Sequence, residues 1–169
     1  IYQQRDGKFM NRIRLTGGEI PAETLRFLRG LVYRSGAEFV HVSTRQNIQL
    51  HGVTPLDSIE VVQSCPANGL PYRGGGGETA TLRVRYYRSG IAPDGSYDLA
   101  PYARFLTDAI FDWDIAFKLP RKIKIGLASP SDKGLALRQD LGFVAASDAD
   151  GNPGFAVYGA GGFGRESAA

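Results

Sequence analysis

Polar and apolar residues alternate over "FMNRIRLT" (9–16), which predicts a strand with Ile13 and Leu15 on one face and Arg12 and Arg14 on the other. The period then lengthens. "GGEIPAETLRFLRGLVYRSG" reads as a turn and a helix, with Pro21 in the first helical turn, Gly36 at the stop, and Leu25, Leu28, Leu31 and Val32 as the apolar stripe. Residues 38–51 return as extended structure with a break at Ser43-Thr44. Thr54-Pro55 opens a second helix through Val62, closed by Pro66 and Gly69. "RGGGGE" (73–78) is a loop, "TLRVRYY" (81–87) a strand and "APDGSYD" (92–98) a turn. A third helix covers 99–112, with Leu99, Tyr102, Leu106 and Ile110 on one side, and a strand covers 118–128. "DLGFVAA" and "GFAVYGA" form a hairpin around "DADGNPG", because Asp-Gly and Asn-Pro favour turns. The order is βαβαβ, then αβ, then a hairpin: an α+β chain with helices packed over a mixed sheet. The glycine loop near residue 77 is the expected boundary between the first part and a second lobe.

The stretch "STRQNIQLHG" (43–52) has an unusual polar face. Ile48 and Leu50 point one way, and Arg45, Asn47, Gln49 and His51 the other. That face holds a cation, two amides and an imidazole, with no acid. Three further strands repeat the theme. Arg12 and Arg14 flank Ile13, Arg83 and Arg85 flank Val84, and Lys122 and Lys124 flank Ile123. Like charges on neighbouring strands repel, so converging ladders of this kind call for an anion. The bland alternative is that the four faces lie on separate solvated surfaces.

Composition narrows the anion. Of 20 basic residues only five are lysines, so fifteen are arginines, whose rigid fork of donors suits carboxylates and phosphates. Formal net charge is only +3. Nucleic acid is disfavoured, because the ladders lack stacking aromatics and no helix-turn-helix or zinc pattern appears. A nucleotide is disfavoured too, since "GGGG" (74–77) lacks the Lys-Ser/Thr of a P-loop and the spacing of GxGxxG. A polycarboxylate cofactor is the third partner that fits, since several convergent Arg, Lys, Gln and Asn groups suit it. One cysteine, Cys65, excludes an internal disulfide or a multi-cysteine metal site made from this chain. No apolar run reaches the ~20 residues a membrane helix needs, and a cytoplasmic setting is expected.

The motifs "FMNRIRLTGGEIP", "STRQNIQLHG", "GLPYRGGGGE", "LAPYARFLTDAI", "LPRKIKIG" and "GFAVYGAGGFG" resemble the siroheme-dependent sulfite and nitrite reductases over nearly the whole chain. The resemblance implies a ferredoxin-like half domain at 1–77, a mixed sheet with helices packed on it. It implies that 78–169 is the start of a second α+β lobe that binds siroheme and a 4Fe-4S cluster. It implies six-electron reduction of sulfite to sulfide or nitrite to ammonia, with electrons from a ferredoxin or a flavoprotein and the remainder of the reductase as partner. By the same resemblance Arg14, Lys122 and Lys124 are catalytic, facing the oxyanion, and the lysines are proton sources. Arg45, Gln49 and His51 match the "TRQ…Q.H" signature and serve the siroheme, with Arg121 in support.

Two departures stand out. After the glycine loop the family usually reads "NT.RNVT". Here the segment is "ETATLRVR", and Arg83, one or two positions along, is read as the cofactor-binding stand-in for the family's arginine, which meets cofactor and substrate. The family's cluster also takes four thiolates, whereas Cys65 is read as a small buried residue at a helix end and no residue is assigned to a metal. The chain by itself is therefore expected to be inactive. The alternative from another class is a non-catalytic anion- or nucleic-acid-binding module that kept the fold. Asp108, Asp112 and Asp114 read as a solvated helix end, and His41 as an ordinary partly buried histidine.

Overall fold

A computed structural model describes residues 1–4, 6–73, 79–93 and 97–162, with the backbone alone at 81–83. The chain divides into two units, Ile1–Gly76 and Gly77–Ala169.

In the first unit the alternation of 9–16 becomes β2 (Phe9–Arg14), preceded by a two-residue β1 (Tyr2–Gln3). The helix follows as α1 (Ala22–Arg34), then β3 (Phe39–Val42), β4 (Asn47–Val53) and α2 (Pro55–Ala67). The break at Ser43 is a full turn, so 38–51 is a hairpin of two strands where a single one was expected, and from β2 to α2 the order is βαββα in place of βαβα. Gln46 makes that turn, with φ +54 in the left-handed region that non-glycine residues seldom adopt. The sheet is antiparallel in the order β1-β2-β4-β3, which puts β4 between β2 and β3. That is the arrangement expected of a ferredoxin-like unit.

Pro21 is the N-cap of α1 and Gly36, at φ +58, follows its last turn. Thr54 caps α2 by accepting the Asp57 N–H at 3.2 Å. Pro66 does not stop α2; it sits in the last turn, and Leu70 N–H closes the helix end on Cys65 O at 2.9 Å. Ile13, Leu28, Leu31, Ile48, Leu50, Val53, Val61 and Cys65 form the core beneath the two helices. Each such side chain contributes about 1.5–3 kcal/mol by leaving water. Leu25, expected in the stripe, is 58% exposed. One polar residue enters this core: Asn11 donates to Ser58 Oγ at 2.9 Å and accepts from the Tyr72 hydroxyl. Burial pushes the Tyr72 phenol up, so it remains a donor.

The second unit runs β5 (Ala80–Arg85), α3 (Ala100–Asp112), β6 (Ile123–Ala128), α4 (Lys133–Leu137), β7 (Leu141–Ser147) and β8 (Pro153–Gly159). The sheet order is β5-β6-β7-β8, parallel in the first two pairings and antiparallel in the last. Parallel neighbours need crossovers, supplied by α3 and α4. The strand expected over 118–128 begins only at Ile123; after the 3-10 turn Asp114–Phe117, residues 118–122 are bends and irregular chain. The hairpin of β7 and β8 closes as expected, with the Asp148 carboxylate accepting the N–H of Asp150 and of Asn152 at 3.0 and 2.8 Å. Leu99, Ala103, Ile110, Ile125, Leu127 and Ala145 make the core on the α3 side. The short α4, absent from the sequence reading, covers the other side. A Cβ at Gly142 would stand 2.5 Å from Ala136 O, so glycine lets α4 press onto β7.

The glycine loop at 74–77, residues 94–96 of the "APDGSYD" turn and the tail from 163 lie outside the described residues. Among those described, no helix is long and apolar enough to cross a membrane.

Candidate functional site

In the first unit β4 separates its side chains as alternation requires. Ile48 and Leu50 enter the core, while Asn47, Gln49 and His51 take the opposite face. Register places Arg12 across from Gln49 and Arg14 across from Asn47 on β2, and His41 across from Gln49 and Phe39 across from His51 on β3. Arginines, amides and imidazoles of three strands thus share one face, and none of its strand positions holds an acid. Arg14 and Asn47 are buried, and Arg12, Gln49 and His51 half-buried. Arg14 donates from Nη1 to Arg73 O at 3.1 Å, which ties it to the segment that leads into the glycine loop. The Arg12 guanidinium lies over the Tyr2 ring, 5.3 Å from its centre.

His51 stacks on Phe39 with centroids 4.5 Å apart and planes inclined by 11°. Burial first, then the charges of His41 and Arg12, lower its pKa from the ordinary histidine value. The imidazole is therefore neutral at pH 7 and holds one N–H to give and one nitrogen to receive. Its Nε2 lies 3.1 Å from Gln49 Oε1, and its Nδ1 3.5 Å from Gln4 Nε2. Gln4 had no place in the sequence reading, since nothing in the local pattern near residue 4 points to β4.

Arg45 does not share the β4 face. It occupies the turn that Gln46 reverses, two residues before the strand starts, and it is exposed. Alternation cannot be extended backwards through a left-handed residue. His41 is exposed on the edge strand, not partly buried as expected.

In the second unit Ile123 and Ile125 join the α3-side core while Lys124 is half-buried on the opposite side of β6. Lys122 precedes the strand in the same alternation, half-buried, and Arg121 before it is exposed. The expectation that no acid meets these cations does not hold. Asp140 takes the Lys124 backbone N–H on Oδ2 at 2.8 Å, and the Lys124 ammonium lies 3.5 Å from the same oxygen. Arg85, 10% exposed, pairs at 3.6 Å with Asp98. Both acids lie more than ten residues away in sequence, which is why strand alternation misses them. A register shift between Leu82 and Val84 breaks the Arg83–Arg85 ladder, and the Arg83 side chain lies outside the described residues.

Cys65 is fully buried in α2, and burial pushes its thiol up to about 12. A thiol held protonated is a poor metal ligand. Among the described residues no three His, Cys, Asp or Glu side chains gather as a metal site. Asp114 pairs with Lys118 on the surface, and Asp108 and Asp112 are exposed, as a solvated helix end requires.

Comparison with known proteins gives these faces a context. The model of the nitrite/sulfite reductase ferredoxin-like half domain matches residues 2–65, and that of the nitrite and sulphite reductase 4Fe-4S domain matches 84–169. The ferredoxin–nitrite reductase of Leptolyngbya laminosa is 31% identical over 93% of this chain and 32% of its own length. The NADPH sulfite reductase hemoprotein beta-component of Bacillus licheniformis is 26% identical over 93% of this chain and 32% of its own length. The chain therefore spans about a third of these relatives, and only 18% of the maize chloroplast ferredoxin–nitrite reductase, to which it is 30% identical over 62% of its length. The solved structure of the Mycobacterium tuberculosis NirA protein superposes with a TM-score of 0.83 over 95% of this chain and 30% of that one, at 22% identity, which establishes the shared α+β fold. With one domain model on each unit, the second covering half of the residues, the chain belongs to the nitrite and sulfite reductase family.

Proposed function

We propose that this chain is the portion of a siroheme- and 4Fe-4S-dependent nitrite or sulfite reductase that grips the siroheme carboxylates and cradles the oxyanion. On this reading residues 1–77 are the ferredoxin-like half domain and 78–169 open the siroheme domain. The observation that carries the reading is the acid-free polar face of β2, β3 and β4. A neutral imidazole, two amides and two arginines on one face suit several carboxylates of a single ligand, each charge-assisted hydrogen bond contributing about 1.5–3 kcal/mol.

The donor set fits a polycarboxylate tetrapyrrole. Gln49 and His51 would hold it, with Arg12 beside them and Arg14 facing the oxyanion; Arg45 and Arg121 are assigned to it by motif alone, and Arg83 as the stand-in for the family's arginine. Siroheme, when bound, supplies the iron at which the oxyanion is reduced. The residues here do not fit the 4Fe-4S cluster, because the chain holds one cysteine and that thiol is buried and protonated. Its ligands would come from the remainder of the reductase.

Lys122 and Lys124 carry the proton chemistry in this account. Their ammonium groups neutralise the incoming anion and give up protons to its oxygens as these leave as water. Nitrite or sulfite is the substrate, a ferredoxin or a flavoprotein the electron donor, and the setting cytoplasmic. Reversing charge on the face is the test. In the full-length reductase Arg12→Glu should lose most of its siroheme, measured as absorbance per protein, whereas Arg26→Glu on the exposed side of α1 should keep it. Equal siroheme in the two variants would refute the assignment of this face.

A further inference from the structure

One backbone donor of β4 escapes the sheet. Phe9 pairs with Val53 and Asn11 with Leu50, so His51 and Gly52 together oppose Met10 in a bulge. Gly52 takes φ +74 there, and its N–H reaches Gln4 Oε1 at 3.0 Å. A backbone N–H can only donate, so this bond settles which end of the Gln4 amide is oxygen. The other end, Nε2, is a donor and stands 3.5 Å from His51 Nδ1. Nδ1 must accept, which leaves the ring proton on Nε2. That nitrogen lies 3.1 Å from Gln49 Oε1 and donates to it. The Gln49 Nε2, with two N–H groups, is left for an acceptor outside this relay.

We propose that Gln4 is a positioning residue, which through the His51 tautomer orients the Gln49 amide so that its NH2, not its oxygen, is offered to a siroheme carboxylate. This rests on the siroheme reading above and adds a polarity to it. With the opposite tautomer, Gln49 would donate to His51 and show its oxygen, which repels a carboxylate. An imidazolium would break the relay as well, because both ring nitrogens would donate and Nδ1 would oppose the Gln4 NH2. The surroundings of the ring disfavour that form: burial, to which the stacked Phe39 contributes, comes first, and the Arg12 guanidinium adds positive charge. Glu38, the nearby acid, contributes its backbone N–H to His51 O, while its carboxylate is engaged by Lys8.

The chain has two histidines, so long-range proton–nitrogen NMR spectra of the 169-residue chain at neutral pH contain two imidazoles, told apart with His41→Gln. His51 is expected as the Nε2–H tautomer, and Gln4→Leu is expected to populate Nδ1–H while the fold, followed by circular dichroism, persists. An Nδ1–H tautomer or an imidazolium in the unaltered chain overturns the proposal. In the full-length reductase, Gln4→Leu and Gln49→Glu should each lower siroheme per protein at least about fivefold. If Arg12→Glu loses siroheme and these two do not, the relay proposal is wrong. If Arg12→Glu also retains it, the siroheme reading of this face is what fails.

Discussion

The Asp140 carboxylate meets Lys124 twice, accepting its backbone N–H at 2.8 Å and lying 3.5 Å from its ammonium. The double contact arises at a sheet boundary. β7 starts at Leu141, which pairs with Ile125, so the N–H of Lys124 falls one residue short of a strand partner. The Asp140 side chain takes the place of that partner. Its own carbonyl accepts from Ala160 N–H at 3.0 Å, which anchors the residue from the β8 side.

Asp140→Asn keeps an oxygen for the N–H and loses the charge, whereas Asp140→Ala loses both. The charged pair is about a quarter exposed on each side, so its net contribution is small, about 0–1 kcal/mol. The unsatisfied N–H costs about 1–3 kcal/mol. Urea unfolding should rank the proteins as parent, Asn, then Ala, with the larger step between the last two. A larger step from parent to Asn would mean that the ion pair dominates.

Gly142→Ala should destabilise the second unit. The new methyl would sit 2.5 Å from Ala136 O, a backbone atom of α4 that cannot swing aside. Overpacking of this kind costs about 1–3 kcal/mol. Gly154→Ala, with nothing within 4 Å of its Cβ position, is the control. Thermal unfolding of the two variants compares them, and an equal shift would contradict the packing of α4 on β7.

Cys65 sets a pH dependence. Its thiol is raised from 9.0 to about 12 by burial, so the folded state binds the proton more tightly than the unfolded one. That stability is fully present below about 9 and is lost as pH rises from there towards about 12. Denaturant midpoints should fall over that window in the parent and fall less in Cys65→Ala. The thiol should also resist a disulfide reagent at pH 8 until the chain unfolds.

Much of this fold was legible because its signals are local. Pro21 and Gly36 bracket α1, Thr54 caps α2, and Asp150-Gly151 turns the β7–β8 hairpin. Alternation placed Gln49 and His51 on one face of β4 and Lys124 opposite Ile123. It failed at Arg45, where Gln46 enters the left-handed region without a glycine to announce it. It also failed to show the bulge at Gly52, since a bulge adds a residue without disturbing the polar pattern enough to be counted. The five-residue α4 is too short for helical periodicity. Asp98 and Asp140 were invisible as partners because register between elements, not spacing along the chain, brings them to Arg85 and Lys124.

The central claim is that the cationic strand at 122–124 acts on an anion being reduced, and steady-state turnover of the full-length reductase with a dye as electron donor tests it most directly. Lys122→Met and Lys124→Met should each stay folded and siroheme-loaded yet lose about ten- to a thousandfold in turnover of nitrite or sulfite, the range expected when a general acid or an electrostatic stabiliser is removed. Turnover within about twofold of the parent in both variants, with siroheme intact, would contradict the account, because solvated lysines away from the site leave rates nearly unchanged on substitution.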